Sequence, residues 1–180
     1  MHIAESQEHA INVIGAWSLA VADAIQRSTE AVAGIAGAAP AALVAVAADP
    51  DMSIDELRRA LDLTHPGAVR LVDRLEGCGW IERRPGRGRT VHLRLTVQGH
   101  RTHRQLLEAR HEAIAALTKT LDPAALERVA QLVAPSLTAA STDTHRLRHL
   151  CRLCQRSDCD PCPVAAGIPC PQPHCDSTPR

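Results

Sequence analysis

Hydrophobic positions recur at helical spacing over most of the first 80 residues. Across residues 5–34 apolar side chains fall three or four positions apart with no proline among them, which predicts a long first helix. Pro40 suits the first turn of a second helix. Ser53 followed by Glu56 three positions later forms a capping box for a third helix, and Thr64 is a preferred cap for a fourth. The pattern therefore predicts four consecutive helices.

The chain changes period after the fourth helix. The apolar residues of that helix recur at i, i+3, i+4 and i+7 and so face inward together: Ala68, Leu71, Val72 and Leu75. Residues 80–84 and 90–96 are short extended runs joined by the glycine- and arginine-rich segment 85–89, which predicts a β-hairpin with a basic tip. Helical spacing returns at Gln98, and Pro123 opens a last helix with a break expected near Pro135. The expected fold is mainly α with a small β-hairpin wing, in the order of a winged helix-turn-helix.

Composition narrows the kind of core and the kind of partner. A chain of 180 residues holds one compact domain and an extension. Because it has no Phe or Tyr, its core must consist of Ala, Val, Leu and Ile. The net charge of zero conceals an asymmetry: residues 1–52 carry one basic side chain against six acids, whereas residues 53–110 carry twelve arginines against seven acids. A localised basic region is what a polyanionic partner requires.

The candidate DNA contacts lie on the fourth helix and in the hairpin. Seven belong to the outward face of the helix: Thr64, His65, Pro66, Gly67, Val69, Arg70 and Arg74. In a major groove, arginine donates to guanine and valine contacts a thymine methyl group. The hairpin adds Arg84, Arg87 and Arg89. A basic run by itself is often only solvated surface, but the order of helices, the inward stripe and the hairpin together favour DNA binding.

The segment that carries these features resembles the MarR family of bacterial regulators. Residues 63–100 read LTHPGAVRLVDRLEGCGWIERRPGRGRTVHLRLTVQGH, with a family-like RLVDRLE run, GWIERR entry to the wing and LTxxG exit from it. The resemblance is strong over residues 53–100 and extends in general layout over residues 5–140. It implies that Arg89, at the wing tip, enters the minor groove of DNA. The family usually has an aspartate two residues before that arginine, and Arg87 stands there in this sequence.

The resemblance also implies a homodimer built from the first and last helices. Residues 5–150 then form one winged helix domain, with 40–96 as the DNA-binding lobe and 5–36 and 98–150 as dimerisation helices. A single recognition helix reads few base pairs, so two half-sites about one helical turn apart are expected on double-stranded DNA. Repression is the commoner behaviour in the family. A plain intramolecular core is the alternative role for the apolar faces of the dimerisation helices.

Four cysteines follow the domain in the pattern C-x2-C-x4-C-x2-C-P. They are Cys151, Cys154, Cys159 and Cys162. Thiols this close in sequence can converge on one metal with little loss of chain entropy. An iron-sulfur cluster, a zinc ion and metal-free thiols that form reversible disulfides are three open alternatives. Residues 163–180, rich in Pro and Cys, have little to bury, and we expect them to be disordered without a metal.

The remaining patterns narrow the function and its location. The chain has no run of about 18 apolar residues and no signal-peptide plan, so we expect a cytoplasmic protein without a membrane partner. A thiol-disulfide oxidoreductase using Cys151 and Cys154 would need a parallel-sheet context that the pattern lacks, so we expect no enzyme. The predicted function is a DNA-binding transcriptional regulator, switched by the cysteine-ligated centre. In the alternative, zinc is purely structural and a small-molecule effector carries the signal.

Overall fold

A computed structural model describes residues 2–86, 90–166 and 168, with side chains from residue 6 onwards. Within these residues the elements in chain order are α1 (His2–Ala33), α2 (Ala39–Ala48), α3 (Ile54–Ala60), α4 (His65–Gly77), β1 (Ile81–Pro85), β2 (Val91–Leu95), α5 (Val97–Thr118), α6 (Pro123–Ala140), α7 (Thr144–Leu150) and the 3-10 turn η1 (Arg156–Asp158). The predicted mainly α fold with one β-hairpin is confirmed. No helix in this part of the chain combines the length and the apolar character that crossing a membrane requires.

Side-chain caps fix the starts of the two short central helices. The Ser53 hydroxyl accepts a hydrogen bond from the backbone N of Glu56 at 3.2 Å, and the Glu56 carboxylate accepts one from the backbone N of Ser53 at 2.7 Å. The capping box predicted for α3 is thus formed. At α4 the Thr64 hydroxyl accepts from the backbone N of Gly67 at 3.2 Å. A Cβ at Gly67 would stand 3.0 Å from that hydroxyl, so glycine keeps the cap uncrowded.

One aliphatic core joins the middle of the chain. The largest side chains sealed inside it come from α2, α3, α4, both strands and α5: Leu43, Leu57, Leu75, Ile81, Leu93 and Leu106. The inward stripe predicted for α4 is confirmed, since Ala68, Val72 and Leu75 are buried and Leu71 packs against the same core. Burying about 100 Å² of apolar surface contributes about 2.5 kcal/mol, so this core positions α4 firmly.

The two strands form an antiparallel hairpin that is fastened to the helices. Ile81 stands opposite Leu95, and Arg83 stands opposite Leu93. Strand β2 also bonds the turn before α3, because the backbone N of Leu93 donates to the carbonyl of Met52 at 2.9 Å. The hairpin therefore shares a backbone ladder with the segment that leads into α3.

The three longest helices are α1, α5 and α6. Helix α1 packs along α5. Helix α6 runs through Pro135 as one helix, and the interruption expected there falls instead at residues 141–143, before α7. The sequence grouped residues 144–150 with the dimerisation helices, whereas the structure packs them as α7 against α3. A seven-residue helix gives too short a periodic pattern to reveal which neighbour it contacts.

Candidate nucleic-acid interface and cysteine segment

Helix α4 presents a basic outward face because its apolar face is held in the core. His65, Pro66, Arg70 and Arg74 are exposed, and Val69 is half-buried. In the described part of the chain no carboxylate pairs with Arg70 or Arg74. Both guanidinium groups are therefore free to donate hydrogen bonds to an external acceptor. This is what a helix in a major groove needs.

The acidic residues of α4 are neutralised by the hairpin. Arg83 on β1 donates from Nη2 to Asp73 Oδ1 at 2.5 Å and from Nη1 to Glu76. Left unpaired, these carboxylates would repel phosphate. The bridge to Arg83 also ties the first strand of the hairpin to α4, so the relative position of the two elements is fixed by charge as well as by packing.

The other arginines at the base of the hairpin also have internal partners. Arg94 binds Asp51 through two hydrogen bonds of 2.5 and 2.7 Å, and this bonding holds the pKa of the Asp51 carboxyl below its usual value. Arg84 lies 2.7 Å from Glu82. Arg84, which the sequence assigned to DNA contact, is thus an exposed arginine that already has a partner. Of these two carboxylates, only Glu82 is close enough in sequence to its arginine for the ion pair to have been predicted from the sequence.

The end of the hairpin explains the LTxxG exit motif. The Thr96 hydroxyl accepts from the backbone N of Gly99 at 3.0 Å, and the backbone N of Thr96 donates to the carbonyl of Trp80 at 3.0 Å. A Cβ at Gly99 would overlap that same carbonyl oxygen of Trp80. Glycine is required there because the start of α5 lies directly against the start of the hairpin.

The tip of the hairpin is not part of the described structure. Arg87 and Arg89, both predicted to contact DNA, lie outside the described residues. The described part of the interface therefore comprises the outward face of α4 and the base of the wing.

The four cysteines of the C-x2-C-x4-C-x2-C pattern lie close together. Cys154 and Cys162 pack against the buried Cys151, and Cys159 lies close enough to Cys162 and Cys154 for their charges to raise its pKa. In the described residues no group of three or more His, Cys, Asp or Glu side chains is arranged to hold a metal ion. A shared metal would require the sulfur atoms to turn towards a common point. Cys170, Cys175 and the end of the tail predicted to be disordered, residues 169–180, lie outside the described residues.

Arginine side chains lie near Cys154 and favour its thiolate form. The hydrogen bond from Cys151, with the charges of Arg110, Arg156 and Arg152, lowers the pKa of Cys154 to about 6 in spite of its burial. Burial and the neighbouring Cys162 raise the pKa of Cys159 to about 11. The chemistry of the segment is therefore that of soft sulfur donors in a positive field.

Helix α7 connects the cysteine segment to the helix-turn-helix. Arg148 donates to Asp49 at 2.7 Å, and Asp49 ends α2. His145 Nε2 and His149 Nδ1 each lie 3.3 Å from an oxygen of Asp62, which belongs to the turn between α3 and α4. The cysteine segment thus adjoins the DNA-binding lobe, and this contact could not be read from sequence order.

The fold and the basic face of α4 define the class of the protein as a winged helix-turn-helix protein. Residues 33–89 match the model of the MarR family. Over this winged helix-turn-helix part the chain is similar to members of the MarR family. Curated relatives include the transcriptional repressor MprA of Escherichia coli, 34% identical over 95 residues, which are 51% of this chain and 54% of the relative. The chain thus spans about half the length of the curated relatives it matches.

Solved structures share the fold at lower sequence identity. The YusO protein of Bacillus subtilis is 19% identical, with a TM-score of 0.65, and the match covers 76% of this chain and 97% of that one. RV1404 of Mycobacterium tuberculosis is 22% identical, with a TM-score of 0.62 over 75% of this chain and 93% of that one. These similarities extend the shared fold beyond the matched family segment to most of the helical body.

Proposed function

We propose that the chain is a homodimeric transcriptional regulator that binds double-stranded DNA in a sequence-specific manner and acts as a repressor. The observation that carries the proposal is the pair of exposed, unpaired arginines, Arg70 and Arg74, on a capped helix of a winged helix-turn-helix. A curated relative is named a transcriptional repressor, and a structure with the same fold is a mutant MarR of Escherichia coli in complex with operator DNA.

The contacts are divided between two elements. Helix α4 enters the major groove, where Arg70 or Arg74 donates to a guanine and the other arginine holds a phosphate. The wing follows the backbone to the minor groove, where Arg87 and Arg89 add positive charge. Arg83 and Arg94 serve mainly as internal ties, because each already binds a carboxylate.

The apolar surfaces of the outer helices support dimerisation. Helix α6 has no buried residue in the single chain, and Leu132 is 78% exposed. On α1, Ile11, Ile14 and Leu19 are each at least 60% exposed. Exposed apolar residues at this density on two helices are typical of a surface that a second copy covers.

Selection from a random duplex library tests DNA recognition. The full chain is incubated with randomised double-stranded DNA, and the bound fraction is amplified and sequenced over several rounds. We expect a palindromic motif whose half-sites are centred about one helical turn apart. A library that stays random after selection would refute sequence-specific binding, and a motif with a single half-site would refute the dimeric mode.

We propose further that Cys151, Cys154, Cys159 and Cys162 bind one thiophilic metal centre that switches DNA binding. The proximity of the four thiols and the arginines near Cys154 support this proposal, because a metal bound by four thiolates carries net negative charge.

Purification without oxygen, followed by iron, sulfide and zinc analysis and a visible spectrum, separates the alternatives. Absorbance near about 400 nm with matching iron and sulfide indicates an iron-sulfur cluster. Colourless protein with one zinc per chain indicates a zinc ion. If the protein contains neither iron nor zinc, reversible disulfide chemistry is the remaining alternative.

A further inference from the structure

Helix α7 holds both ends of the first helix of the helix-turn-helix. Its Arg148 is bonded to Asp49, which precedes α3, and its two histidines lie against Asp62, which follows α3. The Glu56 carboxylate, within the capping box of α3, is also close enough to feel the charge of Arg148. The position of α7 is therefore coupled by polar contacts to both ends of α3 and, through Arg148, by charge to its cap.

The other side of α7 belongs to the core of the cysteine segment. Leu147, Cys151 and Val164 are buried together, with Cys154 and Cys162 packed around them. Leu153, between two of the cysteines, packs against the main core of the lobe. One small core thus contains both the helix that contacts α3 and the thiols that follow that helix.

Arginine side chains near Cys154 favour a negatively charged centre at the thiols. Arg110, Arg152 and Arg156 lie near Cys154. The Nε of Arg156 is buried and has no hydrogen-bond partner among the described residues. A buried N–H donor without an acceptor is costly, and a thiolate sulfur bound to a metal would supply an acceptor beside it.

We infer that binding of a single zinc(II) ion by Cys151, Cys154, Cys159 and Cys162 fixes α7 on α3, so that metal occupancy controls the rigidity of the helix-turn-helix. On binding, the cysteines that are still protonated release their protons to solvent and the ion exchanges its water ligands for four thiolates, leaving a centre of net charge −2 beside the arginines. The inference rests on the metal site proposed above. It places the signal at α3 and not at the dimer interface.

Hydrogen–deuterium exchange on the full chain tests the coupling without any knowledge of the operator. The protein is compared after loading with zinc(II) and after removal of zinc by a chelator under reducing conditions. We expect zinc to slow amide exchange in α7 and in α3 by about tenfold, as well as in residues 151–166, because the local opening of this region becomes less frequent. Helix α1 should exchange alike in both states.

A double variant separates the coupling from the metal site. Asp49→Asn with Asp62→Asn removes both carboxylates that face α7, and asparagine tolerates the positive φ of 53° at Asp62. The matched control is Asp51→Asn with Asp73→Asn, since these two carboxylates of the same lobe pair with Arg94 and Arg83 of the wing. We expect the first variant to bind zinc as the parent does but to lose the tenfold protection of α3. The control should keep that protection.

Each other outcome has a definite meaning. If the parent takes up no zinc, this inference is overturned, and the iron and sulfide analysis proposed above decides separately whether the four cysteines bind another metal. If zinc binds but protects only residues 151–166, or if α3 is protected equally in the first variant, the metal site stands and the coupling through α7 is wrong.

Discussion

The two unpaired arginines of α4 differ from every wing arginine whose surroundings the structure describes. Arg83, Arg84 and Arg94 each meet a carboxylate of the chain, whereas Arg70 and Arg74 meet none in the described residues. A guanidinium without an internal partner loses no existing ion pair when it binds a base or a phosphate. We therefore expect α4 to recognise the nucleobases. We expect the arginines in the lower part of the wing to hold the wing in position relative to α4.

Replacing Arg70 or Arg74 by alanine is expected to weaken binding to a selected DNA duplex. A good bidentate contact with a base provides about 1–3 kcal/mol, so the dissociation constant should rise about 10- to 100-fold for the arginine that reads a base. Replacing the arginine that holds a phosphate should instead reduce the slope of the logarithm of the binding constant against the logarithm of salt concentration by about one. Fluorescence anisotropy titrations over a range of salt concentrations measure both effects. Arg104→Ala, at an exposed position on α5, is the control, and an equal loss there would contradict the assignment to α4.

Gly99 carries a packing requirement that a substitution would expose. A methyl group at this position would overlap the carbonyl oxygen of Trp80, so Gly99→Ala must push α5 away from the hairpin. Overpacking of this kind costs about 1–3 kcal/mol, which should lower the midpoint of urea unfolding at fixed protein concentration. Gly77→Ala, where nothing lies within 4 Å of the added Cβ, should not destabilise the protein. Equal urea midpoints for the two variants would show that α5 can move away from the hairpin without lowering the free energy of unfolding.

At the residue scale, the sequence identified the outward face of α4 but not the ion pairs that surround it. The face follows from a local period, since Ala68, Val72 and Leu75 fix which side is buried. The partners of Arg83 and Arg94 stand ten and 43 residues away in the chain, on other elements. No spacing rule links such residues, so a count of arginines overstated the charge available to DNA.

The capping box makes the stability of α3 depend on pH. Hydrogen bonds from the backbone and hydroxyl of Ser53 hold the pKa of Glu56 below its usual value, against partial desolvation. A carboxyl whose folded pKa is lowered stabilises the fold above its unfolded pKa, about 4.3, and loses that contribution as the pH falls through the folded value. Glu56→Ala should therefore cost about 1 kcal/mol at pH 7 and much less near pH 2.

Urea unfolding at the two pH values measures this difference. Glu127→Ala on α6 is the control, because Glu127 bonds only the Gln131 side chain in the described residues and caps no helix. A cost of Glu56→Ala that is the same at both pH values would mean that the ionised carboxylate contributes nothing beyond packing.

At the element scale, the capped helices and the hairpin could be predicted from local signals, but the packing of α7 against α3 could not. The bounds of α2, α3 and α4 agree with their caps and breakers to within about one residue, because those signals are local. Helix α7 begins at an Asp143 cap but takes its place from Asp49 and Asp62, far away in the sequence. The contact of α7 with α3 is a tertiary contact that local sequence signals do not predict. Because of this contact, a signal from the cysteines would act on α3 and not on the dimerisation helices.

At the scale of the whole molecule, the basic side chains and most of the exposed apolar side chains lie on different elements. The acidic, alanine-rich start of the chain forms α1, which packs on α5, whereas the arginine-rich middle forms the helix-turn-helix and wing. A chain that separates its basic surface from its exposed apolar surface in this way can bind a polyanion with one and a second copy with the other. A change confined to the basic surface is then expected to weaken DNA binding without disturbing the dimer.

Leu132→Asp tests this separation at the proposed dimer surface. A charge placed on the apolar face of α6 would be buried unpaired in a dimer, so the variant should run as a monomer of 19.3 kDa in light scattering after size exclusion, while the parent runs as a dimer. Val97→Asp is matched in exposure, at 74% against 78% for Leu132, but lies at the start of α5 beside the wing. It should remain dimeric. A monomeric parent, or a dimeric Leu132→Asp variant, would contradict the assignment of this face, whereas loss of the dimer in both variants would place the interface closer to the wing than the exposed residues of α1 and α6 indicate.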